Sequence, residues 1–148
     1  MVVCVQRVTR AAVSVSGAEV ARIDKGLLAL VGICTGDNAE VAAKMARKLA
    51  LLRVFEDADG KMNLGLAQVS GSVLAVSQFT LCADCRKGNR PSFSEALPAA
   101  DAKRVFDRFV EELRKLVPVQ TGVFGAKMQV ELVNDGPVTL ILTSREME

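Results

Sequence analysis

The run Ser77-Gln78-Phe79-Thr80-Leu81 sets two hydroxyls and a carboxamide close together at the end of an apolar stretch. At a strand's end these residues can present O–H, amide and main-chain N–H groups to a cleft. Such a set can hold a carbonyl and the oxyanion that develops from it. An ordinary polar strand end accounts for the same residues. A second run, Asn134-Asp135-Gly136-Pro137-Val138-Thr139, joins a glycine, free in its backbone angles, to a proline. A Gly-Pro bond prefers trans by only about 0.5–1 kcal/mol, so cis is accessible, although general frequencies favour a trans proline in a hairpin turn. Cys82-Ala83-Asp84-Cys85 is a single CxxC with no second pair and no His, and reads as two loop thiols rather than a metal or redox motif. Arg86-Lys87-Gly88-Asn89-Arg90-Pro91 carries three cations, which suit a phosphate or a solvated basic loop equally.

What is missing narrows the chemistry. The 148 residues contain no His, which excludes imidazole-based serine or cysteine triads and His-ligated zinc. Asp57-Ala58-Asp59-Gly60 is a turn, without the closing Glu of a calcium loop. No metal and no cofactor is expected. With no Trp or Tyr, any stacking on a base falls to Phe, Arg or Met. The formal net charge of +2 is small for a protein that coats nucleic acid, so RNA contact would be local and only moderately salt-dependent. No apolar run is long enough to span a bilayer, and the first residues do not resemble a secretory signal, so a cytoplasmic protein away from membranes is expected. All four cysteines are then expected to be reduced, with Cys4 and Cys34 as small core residues.

The elements that must position these groups follow from periodicity. Val2 to Val8 reads as a strand, Ala12 to Ser16 and Glu19 to Ile23 as a hairpin, and Gly26 to Cys34 as a buried strand. Asp37 to Arg53 reads as a helix, with Asp37 and Glu40 as a capping box and Val41, Met45, Leu49 and Leu52 on one face. A short strand at Val54 to Glu56 precedes another over Ser72 to Phe79, whose end carries the first polar run. Pro98 opens a helix to about Leu116, with Ala102, Phe106, Phe109, Leu113 and Leu116 inward, and Pro118 stops it. Lys127 to Val133, a turn at Asn134 to Pro137 and a returning strand at Val138 to Thr143 complete the chain. The order predicts one domain over residues 1–148, an α/β fold with a mostly antiparallel sheet and two main helices. Irregular structure is expected only at Ser144 to Glu148.

Ser77-Gln78-Phe79-Thr80 and Asn134 to Thr139 together resemble the two signature segments of the D-aminoacyl-tRNA deacylase family. Gln6-Arg7-Val8-Thr9-Arg10-Ala11, Gly60-Lys61-Met62-Asn63-Leu64, Arg90-Pro91-Ser92-Phe93 and Gln120-Thr121-Gly122 resemble its flanking stretches, in order, along essentially the whole chain. The resemblance implies a β-barrel-like α/β domain and a homodimer with the active site at the subunit interface. It implies the aminoacylated 3′ end of tRNA as partner, and no DNA. It also implies a cis Gly136-Pro137 bond entering the partner's pocket, with Arg7 orienting that dipeptide. Ser77, Gln78, Phe79 and Thr80 would form the catalytic segment, with main-chain groups of Gln78 and Phe79 engaging substrate. Phe124 and Met128 would pack the terminal adenosine. Cys82 and Cys85 depart from the family pattern and would make the pocket mouth sensitive to oxidation.

An aminoacyl ester is activated relative to an amide, so the catalyst must place water, stabilise an oxyanion and reject the wrong stereoisomer. The 2′-hydroxyl of the RNA lies beside the ester and can assist proton movement. Thr80, lacking a base, is expected to position rather than attack. A side-chain pocket discriminates by only about 1–3 kcal/mol per methylene, so a rigid main-chain wall at Gly136-Pro137 is the expected chiral filter. Glycine has no Cβ to exclude, so glycyl-tRNA mischarged on tRNA for alanine is an expected second substrate. The rival readings are an RNA-binding module without catalysis and a Thr- or Ser-dependent hydrolase of small esters.

Overall fold

The computed structural model describes residues 1–147; Glu148, the last of the residues expected to be irregular, lies outside them. The elements are β1 (Val2–Val15), β2 (Ala18–Ile23), β3 (Gly26–Gly32), α1 (Ala39–Ala50), β4 (Phe55–Glu56), β5 (Met62–Leu64), β6 (Ser72–Ser77), α2 (Ala99–Arg114), β7 (Val119–Thr121) and β8 (Gln129–Thr143). Single 3-10 turns occupy Phe79–Cys82 and Ser144–Glu146, so most of the C-terminal segment expected to be irregular is ordered.

Long strand β1 organises the sheet. Its first half pairs antiparallel with β3 and its second half with β2, while β8 runs antiparallel along its other edge. β3–β6 and β6–β7 are parallel, and β2 also touches β6 and β7, so the six-stranded sheet nearly closes on itself. The two apolar strand patterns expected at Val2 to Val8 and Ala12 to Ser16 are thus one continuous strand. The barrel-like sheet with two main helices matches the expectation, with parallel pairings added by the crossover through α1.

Strand alternation divides the interior. Leu27, Ala29 and Val31 of β3 and Val73 and Ala75 of β6 face the helices, while Leu28, Leu74 and Val76 face the other way. Both faces are buried, which is why these strands read as unbroken apolar runs. Met45 and Leu49 of α1 and Phe109 and Leu113 of α2 fill the helix layer. Leu116, expected inward, lies beyond the last turn of α2 and is 46% exposed.

The helix start also differs. Asn38 caps α1, its side-chain oxygen accepting from the Val41 N–H at 3.0 Å. Asp37 instead accepts from the Met1 ammonium at 2.5 Å and from the Cys34 N–H at 2.7 Å. A neighbouring strand's end outcompetes the local capping pattern there.

Candidate active site

The first polar run sits where the parallel pair β3–β6 ends. Ser77 is the last residue of β6 and pairs with Val31, and the Gln78 N–H donates to the Val31 carbonyl at 2.7 Å. The chain then tightens into the 3-10 turn, laid against Gly32. A Cβ on Gly32 would sit 2.8 Å from the Leu81 Cβ and 3.1 Å from the Gln78 carbonyl oxygen. Only glycine lets the turn lie that close. Gly32 is the positioning residue that sequence reading missed, hidden inside an apolar run.

Ser77 and Phe79 line an apolar cavity of about 320 Å³ together with Val31, Ile33, Leu97 and Phe124. Phe124 also packs on Phe106, ring centroids 5.9 Å apart. At the mouth, Phe79 is 56% exposed and meets Phe93 edge to face at 5.1 Å. The Gln78 carboxamide donates to the exposed Thr80 hydroxyl. Met128 does not line this cavity. It packs beneath β8 against the barrel-side core, with its sulfur filling the space beside Gly122.

The cysteine expectation is corrected at this point. Cys34 and Cys82 form a disulfide, Cα atoms 5.7 Å apart, joining the segment after β3 to the 3-10 turn. That separation lies within the range a disulfide requires, and the fold creates it between residues distant in sequence. β3 ends at Gly32, so Cys34 is not a strand residue. Cys4 and Cys85 are free. Partial burial pushes the Cys4 thiol up, which favours its protonated form.

The second run is not a hairpin turn. β8 continues along β1 through it, pairing Asn134 with Val8 and Thr139 with Gln6, so residues 135–138 bulge out opposite Arg7. Asn134 closes the bulge. Its amide donates to the Gln6 side chain at 3.2 Å and the Thr139 hydroxyl at 3.0 Å, and its oxygen accepts from the Val138 N–H at 2.8 Å. Arg7 is the charged residue buried among the described ones, 6% exposed. Its Nε donates to the Asp135 carbonyl at 2.8 Å and its Nη1 to the Val54 carbonyl at 2.7 Å. The Gly136-Pro137 bond is cis, and Gly136 has φ +142. A Cβ on Gly136 would meet the Val138 N at 2.9 Å and the Arg7 guanidinium at 3.2 Å.

Gly136 and Pro137 are exposed and do not line the cavity of their own chain. The chain therefore gathers Ser77, Phe79 and Phe124 around one cavity and holds Gly136-Pro137, braced through Arg7 and Asn134, on a separate projection. No helix among the described residues is long and apolar enough to cross a membrane.

Fold and site together define a small α/β barrel whose polar groups stand at a strand end and whose chemistry proceeds without imidazole. The family model described as D-Tyr-tRNA(Tyr) deacylase matches residues 4–143. A D-aminoacyl-tRNA deacylase of Anaeromyxobacter dehalogenans (strain 2CP-C) is 56% identical over 144 residues, 97% of each chain. Another, of Thermomicrobium roseum, is 56% identical over 148 residues, 99% of this chain and 96% of that one. Among solved structures, a c-Myc DNA Unwinding Element Binding Protein superposes with TM-score 0.92 at 42% identity, covering 97% of this chain and 98% of that one. A probable eukaryotic D-amino acid tRNA deacylase superposes with TM-score 0.81 at 16% identity, which speaks for the fold. The chain belongs to the D-aminoacyl-tRNA deacylase family.

Proposed function

We propose that this enzyme, a hydrolase of the D-aminoacyl-tRNA ester, senses chirality with main-chain atoms of a second subunit. In this reading the chain acts in the cytoplasm as a homodimer, and Gly136-Pro137 of one subunit completes the Ser77–Thr80 cavity of the other. The carrying observation is the separation just described: a cavity holding one signature and an exposed, braced projection holding the other. The partly exposed apolar residues of β8 support it. Ile141 is 55% and Val133 39% exposed along the strand that edges β1, a surface suited to a second copy.

The chemistry asks little of side chains. The Gln78 N–H, expected to engage substrate, is taken by the Val31 carbonyl, whereas the first N–H groups of a helical turn have no acceptor within it, so those of Phe79 and Thr80 can receive the oxyanion. Water attacks the ester carbonyl, and the neighbouring 2′-hydroxyl of the RNA assists proton transfer to the leaving 3′-oxygen. Thr80, already accepting from Gln78, orients the water or the ester rather than attacking it. Phe124 supplies the apolar wall for the terminal adenosine. Met128 takes part by supporting the segment that carries Phe124.

Main-chain atoms of Gly136 and Pro137 would occupy the volume an L-side chain needs, while a D-side chain points outward. Glycine escapes this filter, so glycyl-tRNA mischarged on tRNA for alanine is cleaved too. The test is hydrolysis of D-, L- and glycyl-tRNA by the purified enzyme. Rapid loss of the D and glycyl esters with survival of the L ester is expected. Equal rates on both mirror images, or full resistance of glycyl-tRNA, would overturn steric exclusion. In the same assay, Thr80→Ala retains measurable turnover if Thr80 positions; complete loss with fold and binding intact would make it the nucleophile.

A further inference from the structure

We propose that the loop from Asp84 to Ser92 is a second RNA contact, in which Lys87 and Arg90 hold backbone phosphates of the acceptor stem of the tRNA substrate. The inference rests on the proposed function in taking tRNA as the substrate. The loop is a closed unit: the Asp84 N–H donates to the Ser92 carbonyl at 2.8 Å and the Ser92 N–H to the Asp84 carbonyl at 2.9 Å. Arg86 is consumed internally, its Nε and Nη2 lying 2.9 and 2.7 Å from the two Asp84 carboxylate oxygens. Lys87 and Arg90 are exposed and make no ion pair among the described residues. The loop thus carries two unneutralised cations, a local excess equal to the +2 of the whole chain.

Position gives this excess a purpose. Phe93, next to the closing Ser92, meets Phe79 edge to face at the mouth of the candidate active site. An RNA strand whose last nucleotide enters that mouth must carry its preceding phosphates past the foot of the loop. A nearly neutral protein attracts such a strand only through local charge. On α1, Lys44 is paired with Glu40 at 3.0 Å, while Arg47 and Lys48 line a different groove with Leu51 and Leu116 that shares no residue with the cavity of Ser77 and Phe79.

Binding of uncharged tRNA, measured against salt concentration, tests this without requiring catalysis. Lys87→Ala with Arg90→Ala is expected to weaken binding about tenfold or more at low salt and to make the log–log salt slope shallower by roughly 2. Lys87→Arg with Arg90→Lys is expected to bind like the parent. Unchanged affinity and slope in the alanine variant would overturn the proposal. So would a parent chain that fails to bind tRNA, or a loss confined to Arg47→Ala with Lys48→Ala on α1. Loop-dependent binding by a parent chain that leaves D-aminoacyl-tRNA intact would uphold this contact and reject the proposed function.

Discussion

Arg7 shows how much a single buried charge can determine. A guanidinium loses its hydration on burial, so it must be repaid by hydrogen bonds. It finds two main-chain carbonyls, of Asp135 and Val54, and thereby ties the bulge of β8 to the segment after α1. Arg7→Ala would leave both carbonyls short of a donor. A loss of about 2–3 kcal/mol in urea unfolding is expected, with activity falling further than stability. A variant within about 0.5 kcal/mol of the parent would show that water replaces the guanidinium.

Asp84 offers a pH readout at the same scale. Its hydrogen bonds from the Arg86 side chain and N–H hold its carboxyl at about 2. The folded loop favours the charged form, so the pairing contributes fully above the ordinary carboxylate value of about 4 and is lost as pH falls through about 2. The carboxyl carbon signal of Asp84 should titrate with its midpoint near 2, and Arg86→Ala should return it toward 4. A midpoint near 4 in the parent would mean that the pair does not persist in solution.

At the level of elements, β3 and β6 approach closely where Gly26 pairs with Ser72. A Cβ on Gly26 would lie 1.8 Å from the Ser72 carbonyl oxygen, a backbone atom that cannot step aside. Gly26→Ala is therefore expected to cost on the order of 3 kcal/mol, the upper range of core overpacking, with loss of soluble protein as a second readout. Stability equal to the parent's would place β3 further from β6 than described. Elements were legible where their signals were local. β3, α1, α2 and the β1–β2 hairpin follow from periodicity and turn residues. β8 was misread because Asn-Asp-Gly-Pro is, locally, a hairpin turn. Its partners lie in β1, more than a hundred residues away, and Arg7 and Gln6 decide its path. β7 escaped notice because three residues carry no periodicity. For the same reason of distance, residue patterns alone left both polar runs ambiguous, and only their joint resemblance to one family assigned them.

For the molecule as a whole, the pairing of cysteines is a direct check on the global path of the chain. Cys34 and Cys82 meet only if β3 and the 3-10 turn end side by side. Thiol titration of the oxidised, denatured chain should find two reactive groups, Cys4 and Cys85, and four after reduction. Four without reduction would show that the bridge does not form under the conditions of isolation.

The pairing of Val2 with Thr143 sets the two extremities of the fold next to each other, pointing the same way out of the sheet. A load applied between them would not shear β1 past β8. It would peel the strands apart like a zip, breaking one rung at a time, with little resistance. Five rungs, Val2 to Gln6, lie ahead of the projection at Asp135 to Val138. Tethered at both ends, the chain would therefore surrender the Gly136-Pro137 bulge first, while the helix layer still stood.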